Sequence, residues 1–215
     1  RFNDGGVDAQ GRWWIGSLFA PKTHAGAGLY CLERGELKAI LGEQAVQKPW
    51  QDWGVTTANG WAMSPDGTHL YHADTQAHTV YRYDFSAQLP VESALSHRQV
   101  FFQTADTRKE ANPSEPYQGR PDGAVVDSAG NYWGALFEGG QIVQTAPDGT
   151  ILQKIALPAK CPTMPCFGGA DLKTLIITTT GDRPANELAQ YPANGFILSI
   201  QLPVAGLPTR RYRPQ

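Results

Sequence analysis

Three oxygen-bearing side chains recur at one position of a repeating pattern: Asn3, Asn59 and Asp122. Each stands eight residues before a glycine, namely Gly11, Gly67 and Gly130. The segments RFNDGGVDAQGRWWIGS (1–17), TANGWAMSPDGTHLYHA (57–73) and GRPDGAVVDSAGNYWGA (119–135) align around them without gaps. Two readings are open. Each side chain could cap its own turn, since Asn-Gly and Asp-Gly are common turn pairs. Alternatively, the three converge, and two amides and a carboxylate then form one oxygen-rich cluster.

The elements that must position them read as strands. A short apolar stretch follows each polar residue and ends in Asp8, Ser64 or Asp127. Tight turns come next (Asp-Ala-Gln-Gly, Ser-Pro-Asp-Gly, Asp-Ser-Ala-Gly), where glycine supplies a positive φ and Asp or Ser bonds back to the backbone. Runs rich in Trp, Tyr and Leu then make a second strand. Residues 28–32, 79–84 and 141–145 continue as third strands, and 151–155 as a fourth. A weaker fourth copy of the pattern opens at Phe167-Gly168-Gly169, with a strand at 174–178, and 95–119 reads as an insertion.

Repeat starts lie 56 and 63 residues apart. Four-stranded units at this period, with loops added, predict a β-propeller rather than a sandwich. The first strand of each blade lines the central channel, so equivalent positions of different blades face one axial spot. At roughly 45 residues per blade, 215 residues supply about four blades of a closed ring. The expectation is a single propeller domain over 1–215, with one or two further blades preceding Arg1.

Composition agrees. Gly 23 and Pro 16 supply turns, and 22 aromatics suit strands. With Lys+Arg 18 against Asp+Glu 20, nothing points to a nucleic-acid partner. No apolar run reaches the roughly 18 residues of a membrane-spanning helix. The three cysteines make no disulfide framework, and Cys161 and Cys166 lack a second ligand pair for zinc. Free thiols and a cytoplasmic location are expected. His69 and His72 face opposite sides of a strand and cannot share a metal. His24 lies in a loop that either covers the channel mouth or is merely solvated.

The strings RFNDGGVDAQGRWWIG, ANGWAMSPDGTHLYHADT, RPDGAVVDSAGNYWGALFEGG and CFGGADLKTLIITT resemble successive motifs of the gluconolactonase, regucalcin (senescence marker protein) and luciferin-regenerating enzyme family. The resemblance is collinear and runs from Arg1 to about Leu202. It implies a six-bladed propeller that hydrolyses a sugar lactone with one divalent cation on the channel axis. It implies metal ligation by Asn59 and Asp122, with a glutamate upstream of Arg1 as a further ligand. Arg1 and Asn3 match the family's substrate-binding Arg and Asn. Oxygen ligands of this kind suit Ca²⁺ first, with Mg²⁺, Mn²⁺ or Zn²⁺ as alternatives. Asp122 is the expected general base as well as a ligand. Alternative readings are hydrolysis of another cyclic ester or a phosphoester, or a non-catalytic calcium-binding or interaction propeller. The oligomeric state is left open.

Overall fold

Each copy of the repeat builds a sheet whose consecutive strands pair antiparallel. The computed structural model describes residues 1–45, 50–109 and 114–214. The first sheet holds β1 (Phe2–Val7), β2 (Trp13–Ser17), β3 (Leu29–Glu33) and β4 (Glu36–Leu41). The second holds β5 (Ala58–Met63), β6 (His69–Asp74), β7 (Thr79–Phe85) and β8 (Leu95–Gln103). The third holds β9 (Arg120–Val126), β10 (Tyr132–Phe137), β11 (Gln141–Thr145) and β12 (Ile151–Ala156). A three-stranded fourth sheet holds β13 (Pro162–Gly168), β14 (Thr174–Thr179) and β15 (Ile197–Gln201), with the short helix α1 (Ala185–Gln190) before β15.

The first strands stand side by side: β1 packs on β5, β5 on β9, and β9 on β13. The core lies between neighbouring sheets. Trp14, Leu29, Leu70 and Tyr83 fill the first interface. Tyr71, Val80, Tyr132 and Leu136 fill the second. Trp133, Ile142, Leu175 and Ile177 fill the third. Sheets arranged radially around their first strands make an all-β propeller. No helix among the described residues is long and apolar enough to cross a membrane.

A buried carboxylate explains the repeating turn. Asp8 accepts hydrogen bonds from the Gln10 and Arg12 backbone N–H, from Arg12 Nε at 2.6 Å and from Trp14 Nε1 at 2.9 Å. Asp127 does the same two repeats away, accepting from the Ala129 and Asn131 N–H, from Asn131 Nδ2 and from Trp133 Nε1 at 2.9 Å. Both carboxylates and both indoles are buried. The second copy has Ser64 at this position and Leu70 where the others have Trp. With no indole N–H to satisfy, a hydroxyl suffices, and Ser64 Oγ accepts from the Thr68 and His69 N–H. The fourth copy takes the trend further, pairing Gly169 with Leu175. Residue type at the turn thus follows the donor count of the side chain six positions on.

Two boundaries differ from the sequence reading. Residues 95–103 are not insertion but β8, the edge strand of the second sheet; its alternation is blurred because only Leu95, Phe101 and Phe102 are buried. The fourth repeat begins at Pro162 rather than Phe167, so the CPTMPC string lies in and just before the inner strand β13. Two prolines hid it, and both fit because β13 pairs with β14 alone. Residues 110–113 of the expected 95–119 insertion lie outside the described residues. The turn that takes Gly11, Gly67 and Gly130 at φ +84°, +70° and +89° takes Leu172 at φ +55° in the fourth copy. That departure weakened the signature of the fourth repeat, because left-handed backbone normally selects glycine.

All four inner strands carry a register break near one level. Asn3 and Asp4 bulge between the Phe2–Ser17 and Gly5–Ile15 pairs. Gly60 and Trp61 bulge opposite His72, Asp122 and Gly123 opposite Ala135, and Thr163 interrupts β13. A bulge leaves residues out of the ladder and re-aims their side chains.

Candidate active site

The bulges bring the recurring polar residues to the start of the inner strands. Asn3 Nδ2 donates to Asn59 Oδ1 at 2.8 Å and to the Ala58 carbonyl at 2.8 Å. Asn59 Nδ2 donates to Thr75 Oγ1 at 2.7 Å, and Thr75 Oγ1 donates to the Pro121 carbonyl at 2.7 Å. A continuous hydrogen-bond chain therefore runs from β1 through β5 to the residue before Asp122. Because Thr75 takes the Asn59 NH₂, the Asn59 oxygen is left to face Asn3. Asn59 and Thr75 are buried, Asp122 is half-buried and Asn3 is exposed.

Asp4 belongs to the same place. Its Oδ2 accepts from the Trp61 N–H at 3.0 Å and its Oδ1 from the Gly5 N–H at 2.8 Å. Trp61 N–H is available because the β5 bulge removes it from the ladder. Burial raises the Asp4 carboxyl to about 6 against these backbone donors. Asp122 is raised to about 7, first by burial and then by the Asp4 charge, with the Gly123 N–H and Arg120 opposing. The Tyr132 hydroxyl, buried under them, donates to the Gly60 carbonyl at 3.2 Å. Gly60 is at φ +58°, and a Cβ there would stand 2.4 Å from the Tyr132 oxygen, so no side chain fits.

The structure thus joins Asn3 to Asn59 and sets Asp122 next to them through Thr75. Arg1 stays apart: it is exposed, and its carbonyl accepts from the Leu18 N–H at 2.8 Å. Sequence reasoning missed Asp4 and Thr75. Asp4 aligns with Gly60 and Gly123, so it shows no recurrence. Thr75 follows a strand end, where a hydroxyl reads as turn chemistry. No cluster of three His, Cys, Asp or Glu residues suited to a metal exists among the described residues. The cluster here mixes amide, hydroxyl and carboxylate oxygens.

The remaining candidates lie elsewhere. His24 is exposed, with Nε2 3.1 Å from Glu43 and its ring against Phe19. Cys31 and Cys161 are buried, Cys166 is exposed, and all three are free thiols. An apolar cavity of about 460 Å³ lies further along the inner strands, lined by Trp61, Met63, Met164, Cys166 and Phe167.

His72 sits opposite the β5 bulge, where the neighbouring sheets have Gly16 and Ala135. It is buried, and neither ring nitrogen has a partner among the described residues. Burial, helped by the Arg98 charge, lowers its pKa to about 4. The folded protein therefore holds it neutral, while the unfolded chain takes up a proton below its ordinary pKa of 6.5. The stability it contributes is complete above about pH 6.5 and is lost as pH falls through 4, by roughly 3 kcal/mol. A His72→Leu variant should show a flatter acid limb in urea melts between pH 6.5 and 4. The difference from wild type isolates His72 from Asp4 and Asp122, whose raised carboxyls act with the opposite sign. Parallel limbs would refute the assignment.

With this geometry in place, comparison with known proteins is decisive. A sequence model of the SMP-30/Gluconolactonase/LRE-like region matches residues 1–181. The chain belongs to this family. It is 41% identical over 207 residues to a 6-deoxy-6-sulfogluconolactonase of Pseudomonas putida, covering 96% of this chain and 63% of that protein. It is 34% identical over 181 residues to the pentonolactonase XacC of Haloferax volcanii, covering 84% and 54%. The chain thus spans less than two thirds of the length of these curated relatives. A crystal structure of regucalcin from Agrobacterium tumefaciens, described as a calcium-binding protein, superposes with a TM-score of 0.79 over 99% of this chain and 64% of that one. At 23% identity that likeness shows the propeller fold alone.

Proposed function

We propose that this chain contributes the central polar cluster of a six-bladed propeller lactonase that hydrolyses a sugar lactone to the sugar acid. The observation that carries the proposal is the hydrogen-bonded chain Asn3–Asn59–Thr75–Pro121 ending beside Asp122. The lactonase names of the relatives support the reaction class. The likeness to regucalcin supports the propeller fold, and six blades are what the family resemblance implies.

The residues present fit a hard divalent cation, Ca²⁺ foremost. Burial makes both carboxylates, Asp4 and Asp122, harder to ionise, and the Asp4 charge adds to this at Asp122, which leaves a site that a positive charge would relieve. Asn59 Oδ1 and the Asp122 carboxylate would hold the ion through oxygen. When bound, it would polarise the lactone carbonyl and acidify water. Asn3 keeps its Oδ1 free of hydrogen bonds among the described residues and can orient a substrate hydroxyl. Asp122 accepts the proton of the attacking water as general base.

Steady-state assays of the intact protein on a panel of aldonolactones, before and after exhaustive chelation, test this. The expected result is hydrolysis that is lost on chelation and restored by Ca²⁺ or another divalent ion. Hydrolysis indifferent to chelation would remove the cation from the mechanism; no hydrolysis of any aldonolactone by the metal-loaded protein would remove the lactonase reading.

A further inference from the structure

A second polar cluster occupies the same end of the inner strands and is not used by the reaction above. Arg120 opens β9, two residues before Asp122, and pairs across the sheet with Phe137. Glu138 follows at once, held at φ +62°, a left-handed conformation that a side chain rarely adopts. Three guanidinium groups meet on this one carboxylate: Arg108 at 3.2 Å, Arg120 at 3.3 Å and Arg183 at 3.1 Å. The Phe137 ring lies between two of them, with Arg120 and Arg183 over it at 5.3 and 5.5 Å.

The three arginines are not equivalent. Arg108 is taken up by Asp106 at 2.6 Å, and Arg183 by Glu187 at 2.6 Å. Glu187 in turn is shared with Lys160 at 3.0 Å. Arg120 has Glu138 alone as an ion-pair partner, and its Nε is buried without a hydrogen bond among the described residues. Among the described residues, four cations of this network face three carboxylates, and Arg120 is the cation with no second carboxylate partner. A guanidinium with spare donors, oriented by an aromatic face and a shared carboxylate, is built to receive a planar or tetrahedral oxyanion in a forked bond. Arg120 stands two residues before Asp122 on β9, and its charge acts on the Asp122 carboxylate, so the two are neighbours at this end of the strand. That proximity lets a sugar lactone place its carbonyl at Asp122 and a distal substituent at Arg120.

We propose that Arg120, backed by Glu138, Phe137, Arg108 and Arg183, is a specificity-determining anion subsite that selects lactones carrying a sulfonate or phosphate group away from the ring carbonyl. The inference rests on the lactonase reading for its substrate frame, but the binding chemistry can be tested without turnover.

Two experiments on the intact protein decide it. In the first, kcat/KM is measured on gluconolactone and on its 6-phosphate and 6-sulfonate derivatives. The wild type should prefer a charged lactone, and Arg120→Gln should reduce the charged-over-neutral ratio roughly 10- to 100-fold, chiefly through KM. Arg120→Lys should keep part of the ratio, because a point charge persists without the fork. The sulfonate and phosphate arms tell which oxyanion is selected. In the second, calorimetry compares wild-type binding of the product acids, 6-phosphogluconate and 6-sulfogluconate, with gluconate. This arm needs no variant and survives any misfolding of Arg120→Gln. Tighter binding of a charged acid without any lactone hydrolysis would keep the subsite and overturn only the lactonase reading. An equal fall on charged and neutral lactones in Arg120→Gln, or no preference for the charged acids, would overturn the subsite.

Discussion

Replacing Asp122 by alanine in the intact, metal-loaded protein should lower lactone turnover by about 10³-fold or more. The change removes both the proton acceptor and one of the oxygens proposed for the cation, and general-base catalysis alone is worth roughly 10²–10⁴-fold. Asp122→Asn separates the two roles. It keeps an oxygen at the site and removes the basic carboxylate, so metal content should fall less than activity. Metal is read by elemental analysis, and turnover by base uptake at constant pH. Thr75→Ala, which cuts the tie between Asn59 and the Pro121 carbonyl, should reduce rate without removing the base. Near-normal turnover by Asp122→Ala with its metal retained would end the assignment.

The largest stability effect should come from Asp127→Ala. Four hydrogen bonds end on this buried carboxylate, among them the indole N–H of the buried Trp133. Leaving buried donors unpaired costs about 1–3 kcal/mol each, so a total loss of at least about 3 kcal/mol is expected in urea unfolding. The second repeat supplies its own control, because there serine and leucine take the places of aspartate and tryptophan. Asp127→Ser with Trp133→Leu should lose less than the two single losses combined. The coupling, roughly 0.5–3 kcal/mol, is the signature of partners in one network. Strict additivity would mean that the turn and the indole are independent.

Much of the fold was legible because its logic is periodic. The eight-residue interval to a turn glycine and the aromatic second strands sufficed to place β1, β2, β5, β6, β9 and β10. The pattern failed where physics relaxed the residue requirement. Leu172 occupies a backbone conformation normally given to glycine, and prolines sit in a strand paired on one side only. β8 is an edge strand with a mixed burial pattern, so its sequence resembles a loop. The axial residues were legible for the same reason as the strands: Asn3, Asn59 and Asp122 recur. Asp4, Thr75 and the arginine cluster were not. Each is a single solution in one sheet, and its partners come from distant loops: Glu138 after β10, Arg108 after β8, Arg183 after β14. Convergence of that kind is a property of the assembled wheel and leaves no local trace.

The interrupted pairing at one height of every inner strand has an evolutionary corollary. A residue released from the ladder carries little of the sheet's stability, so its identity can change while the blade persists. Asparagine, aspartate and threonine already occupy this tier in Asn3, Asp122 and Thr163. Asn3, Asp122 and Thr163 therefore behave as sockets in which a new side chain could change the substrate preference, whereas Gly60 in β5 admits none. Thr163, unclaimed by the chemistry above, is the socket through which such retooling would be cheapest.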